Sequence, residues 1–337
     1  MPSVRSALDV LPSPCVRALA RTLALAVAAL LLTAATVWAQ AYPSSPITLV
    51  IPLTPGDATD SIGRIMGEDL SKLLKVPVVP TNRPGAGSVV GTDSVVKAKK
   101  DGYTILVTPN ASLTSSRIIN PDTVVYDPVK DLLPLGLAAR SPSMLTVRSD
   151  APYRTFAEMI EFAKKNPGRM RLGTAGAGSI GHFSVELINS LTGANITMVP
   201  FKGAGAGVAA VLGGHVEGIV YTVGALHTQL KAGTLRGLVT SSKVPDFPDV
   251  PTLTQLGYPQ NLTGIWFAFF APAGVSPDVS RTLVPAIEKV VRDPAIVAKL
   301  AGLGIIAEWA PGEKVAAEIR DEHHTLEEIA KKAGLAK

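Results

Sequence analysis

A single unit recurs along this chain: an apolar strand, a glycine turn and an amphipathic helix. SPITLVIPL (Ser45 to Leu53) is a β-branched run ending at Pro55-Gly56, and TDSIGRIMGEDLSKLL follows with Ile62, Ile65, Met66, Leu70, Leu73 and Leu74 at helical spacing. VPVVP precedes GSVVGTDSVVKAKK, MRLGTA precedes SIGHFSVELINSLTG, ITMVPF precedes AGAGVAAVLGG, and GIVYT precedes VGALHTQLKAG; YTILVT and LRGLVTS add further strands. Continuous apolar strands alternating with helices predict an α/β chain whose mostly parallel sheets are covered by helices on both faces. Helix starts agree: Thr155 and Glu158 form a capping box in TFAEMIEFAKK, and Ser276 with Pro277 starts PDVSRTLVPAIEKVV.

At 337 residues, 47% hydrophobic and 18% charged, the chain has material for about two domains. No low-complexity linker divides it, so the domains must be joined by ordered crossings, and two strand-like runs qualify: PSMLTVRSD near Ser143 and LTGIWFAFFAP near Thr263. Residues 42–142 with 263–337 are expected in one domain and 143–262 in the other. A chain that leaves a domain and returns makes a hinge with a cleft beneath it.

Residues 1–41 are set apart. Arg17 and Arg21 precede an uncharged apolar run from Thr22 to Ala39, and Ala39 and Ala41 fit an AxA-type cleavage site, the pattern of a secretory signal peptide. The competing reading is a retained anchor, since the run is near the lower length limit for spanning a bilayer. No later run reaches spanning length, so a soluble periplasmic protein is expected. Cys15, the one cysteine, precedes the apolar run, so the exported chain must be stable through its core without disulfides. Residues 1–41 carry three Arg and one Asp, which lowers the net charge from +5 to +3 after removal. That charge is mild, and no Lys/Arg cluster lies among aromatics, so nucleic acid is not an expected partner.

Three glycine turns raise the question of chemistry: RPGAGSVVG (Arg83 to Gly91), GTAGAGSIGHF (Gly173 to Phe183) and FKGAGAGV (Phe201 to Val208). GAGSIG satisfies the dinucleotide fingerprint, but the next strand ends at Lys202 and not at an acid. A hydrolase would need Ser179 on a GxSxG elbow, whereas the motif is AGSIG, and His182 lies on the same helix as the serine. No HxxxH, CxxC or HExxH spacing occurs, so neither metal nor cofactor is expected. What remains is the helix N-terminus, where unpaired N–H groups and the positive helix end attract an anion. Each turn is also open to the simpler reading of a tight turn using glycine for φ > 0.

YPSSPITLVIPLTPGDATDSIGR, NRPGAGSVVGTDSVVKAKKDGYTILV, LGTAGAGSIGHFSVELI, MVPFKGAGAGVAAVLGGHVEG and PDVPTLTQLGYP together resemble the successive motifs of the solute receptors of tripartite tricarboxylate transporters, the Bug-type periplasmic binding proteins. The resemblance covers nearly all of the chain after residue 41. It implies a two-domain periplasmic binding protein fold, each domain a mostly parallel sheet flanked by helices, with the ligand cleft between them. It further implies a non-enzymatic receptor, expected as a monomer, that hands a small carboxylate to membrane permease subunits. A sensor input built on the same fold is the alternative, and an exported hydrolase a distant third. Carried over, the ligand residues are Pro55, Gly56, Thr59 and Asp60 in the first domain, and Thr174, Gly176, Gly178, Ser179 and His182 in the second, with Lys202 and Gly203 beside them. Asp60 is open to reading as a helix cap, His182 as a side chain packed beneath its turn, Lys202 as a solvated charge, and Trp266 as core or cleft wall. Asp57 departs from the family pattern, in which the first turn reads PGG: it either points to solvent and favours the positive helix end or faces the cleft and repels an anion.

Overall fold

The strand–turn–helix units form where the apolar periodicity places them. The computed structural model describes residues 42–176, 179–201 and 204–335. In chain order the elements are β1 (Ile47–Ile51), α1 (Ala58–Leu74), β2 (Val78–Asn82), α2 (Val89–Val96), β3 (Thr104–Pro109), α3 (Ser115–Ile119) and β4 (Leu132–Ser141). The chain then crosses to β5 (Ser143–Arg148), α4 (Phe156–Lys165), β6 (Arg171–Thr174), α5 (Ile180–Thr192), β7 (Thr197–Pro200), α6 (Ala204–Leu212), β8 (Gly218–Thr222), α7 (Val223–Lys231) and β9 (Leu235–Thr240). It returns through β10 (Ile265–Pro272), α8 (Pro277–Val291), α9 (Pro294–Ala301), β11 (Ile306–Ala310) and α10 (Gly312–Ala333). Residues 42–337 make one compact unit, and residues 1–41, with the expected signal peptide, lie outside the described residues.

Two sheets result, ordered β11-β4-β10-β3-β1-β2 and β7-β6-β8-β5-β9. Their parallel pairs, β1–β2, β1–β3, β6–β7 and β6–β8, are the ones joined by helical crossovers. The α/β class is as expected, but the sheets are mixed, not mostly parallel. β10 runs antiparallel to β3 and β4, β11 to β4, and β5 to β8 and β9. β5 and β10, the first strands after each crossing, thus run against the crossover-built strands, as β11 does, while β4 and β9 run in their sense. β4 and β11 carried no strand signal in sequence: β4 contains Pro134 and Gly136, and its pairing with β10 shifts register twice. Gly136 sits at φ 149°, and a Cβ there would lie 2.1 Å from the Trp309 ring of β11, so the indole occupies the space of the missing side chain.

Period-two alternation distributes the first sheet's residues between two cores. Leu49, Ile51, Phe267 and Phe269 pack against Ile62, Met66 and Leu70 of α1 and Leu283 and Ile287 of α8, while Val50, Trp266 and Phe270 face Val95 of α2 and Val315 and Ile319 of α10. The second sheet places Leu145, Leu172 and Val220 against Met159 of α4 and Phe183 and Ile188 of α5, and Ile219 against Val211 and Leu226. Helix α10 serves both: its second half adds Leu326, Ile329 and Ala330 to the core of α4 and α5, which Ile118 of α3 also joins. At the crossings, Ser143 N donates to Ser241 Oγ (3.0 Å), Ser143 Oγ to Thr263 O (2.7 Å), and Ser241 N to Ser143 O (2.9 Å). One serine of the outgoing crossing thereby fastens two points of the return.

Candidate functional site

Register decides which turns become neighbours. Ile51 is level with Asn82 and Val50 with Leu106, so the turns after β1, β2 and β3 emerge side by side at the carboxyl ends of three parallel strands. On the second sheet Thr174 is level with Pro200 and Gly173 with Ile219, which aligns the turns after β6, β7 and β8. Ligands of open α/β sheets bind outside the carboxyl ends of strands, and the glycine turns lie there in both sheets.

The turn before α1 is organised by two carboxylates. Asp57 is the N-cap: its backbone is extended, and its Oδ1 accepts from Thr59 N at 2.8 Å. Asp60, three residues on, is buried and accepts from Gly56 N (2.9 Å), Arg64 Nε (2.9 Å) and Asn82 Nδ2 (2.9 Å). Asn82 Nδ2 also donates to Leu53 O at 2.9 Å, and Arg64 Nη2 donates to Asn82 Oδ1 at 2.8 Å. Burial works against ionising Asp60, but the bonds from Arg64, Gly56 N–H and Asn82 outweigh it and hold the carboxyl below its usual range. The cap is therefore Asp57, and Asp60 ties the α1 turn to the end of β2. Thr59 is fully buried, and its Oγ1 has no hydrogen-bond partner among the described residues. Pro55 and Gly56 are exposed, Gly56 at φ 88° with open space where a Cβ would stand.

The turn before α5 is built from hydroxyls and carries no anionic side chain. Thr174 is buried at the end of β6 and its Oγ1 accepts from Gly176 N at 3.2 Å. Ser179 is the N-cap: its Oγ accepts from His182 N (3.2 Å) and donates to Gly176 O (2.7 Å). His182 is buried at 5% exposure; burial lowers its pKa, opposed by Glu186, whose Oε1 stands 3.7 Å from Nε2. Gly178, Lys202 and Gly203 lie outside the described residues. Among the described residues no three His, Cys, Asp or Glu side chains are placed to hold a metal.

Sequence reasoning missed the polar cluster at the end of β3. Glu322 of α10 accepts from Asn110 Nδ2 (2.8 Å), Thr114 Oγ1 (2.7 Å) and Trp266 Nε1 (2.7 Å), while the same Asn110 amide donates to Gly264 O at 3.0 Å. Trp266, 2% exposed, is core, with its indole N–H committed to this carboxylate. The cluster borders a cavity of about 490 Å³ between α10 and the crossings, lined in part by Arg140, Ser241, Glu318 and Glu322 and by none of the expected ligand residues.

Two sheets, crossovers that return, and helix-terminal turns at the carboxyl ends of the strands define a periplasmic binding protein fold. Within that class, the chain belongs to the tripartite tricarboxylate transporter family receptors, whose model (TctC) matches residues 62–335. The protein BugT of Bordetella pertussis is 32% identical over 303 residues, covering 89% of this chain and 93% of BugT. A TctC solute binding protein from Polaromonas superposes with a TM-score of 0.79 at 28% identity, over 86% of this chain and 99% of that one. R. palustris Rpa4515 with adipate superposes with a TM-score of 0.72 at 29% identity, over 88% of this chain and 99% of that one. The chain is thus a solute-binding receptor and not an enzyme. Its Ser179 accordingly spends its hydroxyl on the helix cap and the Gly176 carbonyl.

Proposed function

We propose that this receptor captures a small carboxylate in the periplasm and delivers it to the permease of a tripartite tricarboxylate transporter. Export follows from the signal peptide expected in residues 1–41. The ligand site lies in a cleft between residues 42–142 with 263–337 on one side and 143–262 on the other, which move about the Ser143–Ser241–Thr263 bonds. The carboxylate meets the turn before α5, from Thr174 through Gly176 and Gly178 to Ser179, with Lys202 and Gly203 alongside; Pro55, Gly56 and Asp57 face the rest of the ligand. Thr59, Asp60 and His182 are buried and position these turns. The observation that carries the reading is the pair of glycine-containing helix starts at the carboxyl ends of parallel strands in both sheets, and the adipate bound by the similar Rpa4515 supports a carboxylate as the ligand class.

The test is native mass spectrometry of the protein as purified, joined to a melting screen. Carboxylates should supply the hits, and a ligand at one hundred times its dissociation constant adds about 2.7 kcal/mol of stability. Neutral sugars or nucleosides that raise the melting temperature while every carboxylate fails would overturn it.

A further inference from the structure

Another cavity, of about 340 Å³, lies between α3, the turn from Asp127 to Lys130 and the second half of α10. It takes positions 319, 320, 323, 324 and 327 of α10, the face opposite the one that 318, 321, 322 and 325 give to the Glu322 cavity. None of the residues assigned above to the carboxylate ligand lines it. Its walls are cationic: Arg117 from α3, Lys130 from the turn, and Arg320, His323 and His324 from α10, against two carboxylates, Asp127 and Glu327. Both carboxylates are taken. Asp127 accepts from Val129 N (3.0 Å) and Lys130 N (3.3 Å) and pairs with Lys130 Nζ (3.3 Å), and Glu327 pairs with Lys331 Nζ (2.8 Å). Two guanidiniums remain. Arg320 is exposed and Arg117 half-buried, and among the described residues neither side chain has an ion pair or a hydrogen bond. A half-buried guanidinium gives up water without an acceptor in exchange, which is costly unless an anion completes it. His323, half-buried beside them with Nδ1 3.4 Å from Thr114 O, is also short of negative charge: burial and the Arg117 charge lower its pKa and outweigh the Thr114 carbonyl, Glu327 and Asp127.

We propose that this cavity is a second anion site, which takes an oxyanion of two or more negative charges between Arg117 on one side and Arg320 with His323 on the other, and so ties α3 to α10. The class follows from the donors. Guanidinium forks match the paired oxygens of phosphoryl and carboxylate groups, and two unmatched guanidiniums call for two negative charges. The site is independent of carboxylate capture at the glycine turns.

Histidine ring NMR of the exported protein tests this, with the His323 signals assigned by their loss in His323→Gln. Pyrophosphate and citrate are titrated separately at constant ionic strength, with sodium chloride as the control salt. At least one of them should move the His323 titration midpoint upward by about one pH unit or more, because its charge stands beside the ring, and chloride should not. Calorimetry with that anion should show roughly 10- to 100-fold weaker binding in Arg117→Gln, the loss of one charge-assisted contact, and the His323 response should vanish. Arg320→Gln repeats the comparison at an exposed position, and melting curves report the folding of both variants. A response to pyrophosphate alone assigns a phosphoryl ligand and a response to citrate alone a polycarboxylate; either supports the site. An anion that binds while His323 stays unmoved sits elsewhere, and if both anions behave so, or neither binds, or the response survives both arginine variants, the proposal is overturned.

Discussion

Ser179 holds the α5 turn by two bonds from one hydroxyl, to His182 N and Gly176 O. Removing an N-cap hydroxyl in favour of Ala costs about 1 kcal/mol, whereas Gly at the same position costs only a few tenths. Ser179→Ala is therefore expected to lower unfolding free energy in urea by about 1 kcal/mol, and Ser179→Gly by much less. Equal losses in the two variants would show that the hydroxyl does not cap the helix. Asp60 behaves differently because it is buried and shared. Asp60→Ala strands the Gly56 N–H and Asn82 amide and frees Arg64, so a loss of about 2 kcal/mol or more is expected in the same measurement. Below neutral pH the Asp60 contribution should fade as the pH falls through its depressed pKa, since a carboxyl ionised more readily in the native state than in the unfolded one stabilises only above the unfolded value.

Helix α10 is the element on which both cores depend, and Glu322 lies where it passes the crossings. Glu322 is half-buried and lines the cavity; desolvation raises its pKa from 4.5 to about 7, against the lowering effect of Thr114, Trp266 and Asn110 and with some help from Glu318. The native state then holds this proton more tightly than the unfolded chain does. The stability it contributes is fully present below about pH 4.5 and is lost as pH rises through 7. Urea denaturation at pH 5 and pH 8 should show this decline in wild type, and Glu322→Gln should remove that part of it, while paying for the Trp266 N–H left without a carboxylate. A variant with the wild-type slope would assign the pH dependence elsewhere. The same comparison bears on Arg140, whose guanidinium holds Glu318 (2.6 Å) and Glu308 (3.0 Å) beside the cavity.

At the scale of the whole molecule, backbone meets backbone beside the crossings. Gly224, at the start of α7, and Gly304, before β11, approach so closely that a Cβ on Gly304 would stand 2.4 Å from Gly224 Cα, and Gly304 is at φ 69°. Neither atom is the end of a flexible side chain, so the contact cannot yield locally. Gly304→Ala is expected to cost several kcal/mol by overpacking and backbone strain together, measured as a fall in the urea midpoint. A variant as stable as wild type would mean that α7 and the β11 approach separate freely. Processing is the other molecular prediction: N-terminal sequencing of the exported protein should begin after about Ala39 or Ala41, and a mature chain that retains Leu30 would refute removal of the segment.

The amino-acid sequence alone determined what depends on near neighbours. The Thr155–Glu158 capping box, Pro277 at the start of α8 and the 62-66-70 stripe of α1 all formed as read, because their partners lie within a few residues. The family was legible for the same reason, as motifs written in contiguous turns. Tertiary structure decided whatever needed a distant partner. β4 became a strand despite Pro134 and Gly136 because β10, some 130 residues away, supplies its ladder and Trp309 fills the space above the glycine. The two carboxylates of the first turn took separate roles only because Asn82 arrives on β2 to claim Asp60, leaving Asp57 as the cap. Glu322 reads in sequence as one charge on an amphipathic helix, and it became a half-buried acceptor of three bonds only when Asn110, Thr114 and Trp266 were folded around it. Local signals fix the conformation of a turn; which buried charge acquires partners is settled only when strands remote in sequence come into register.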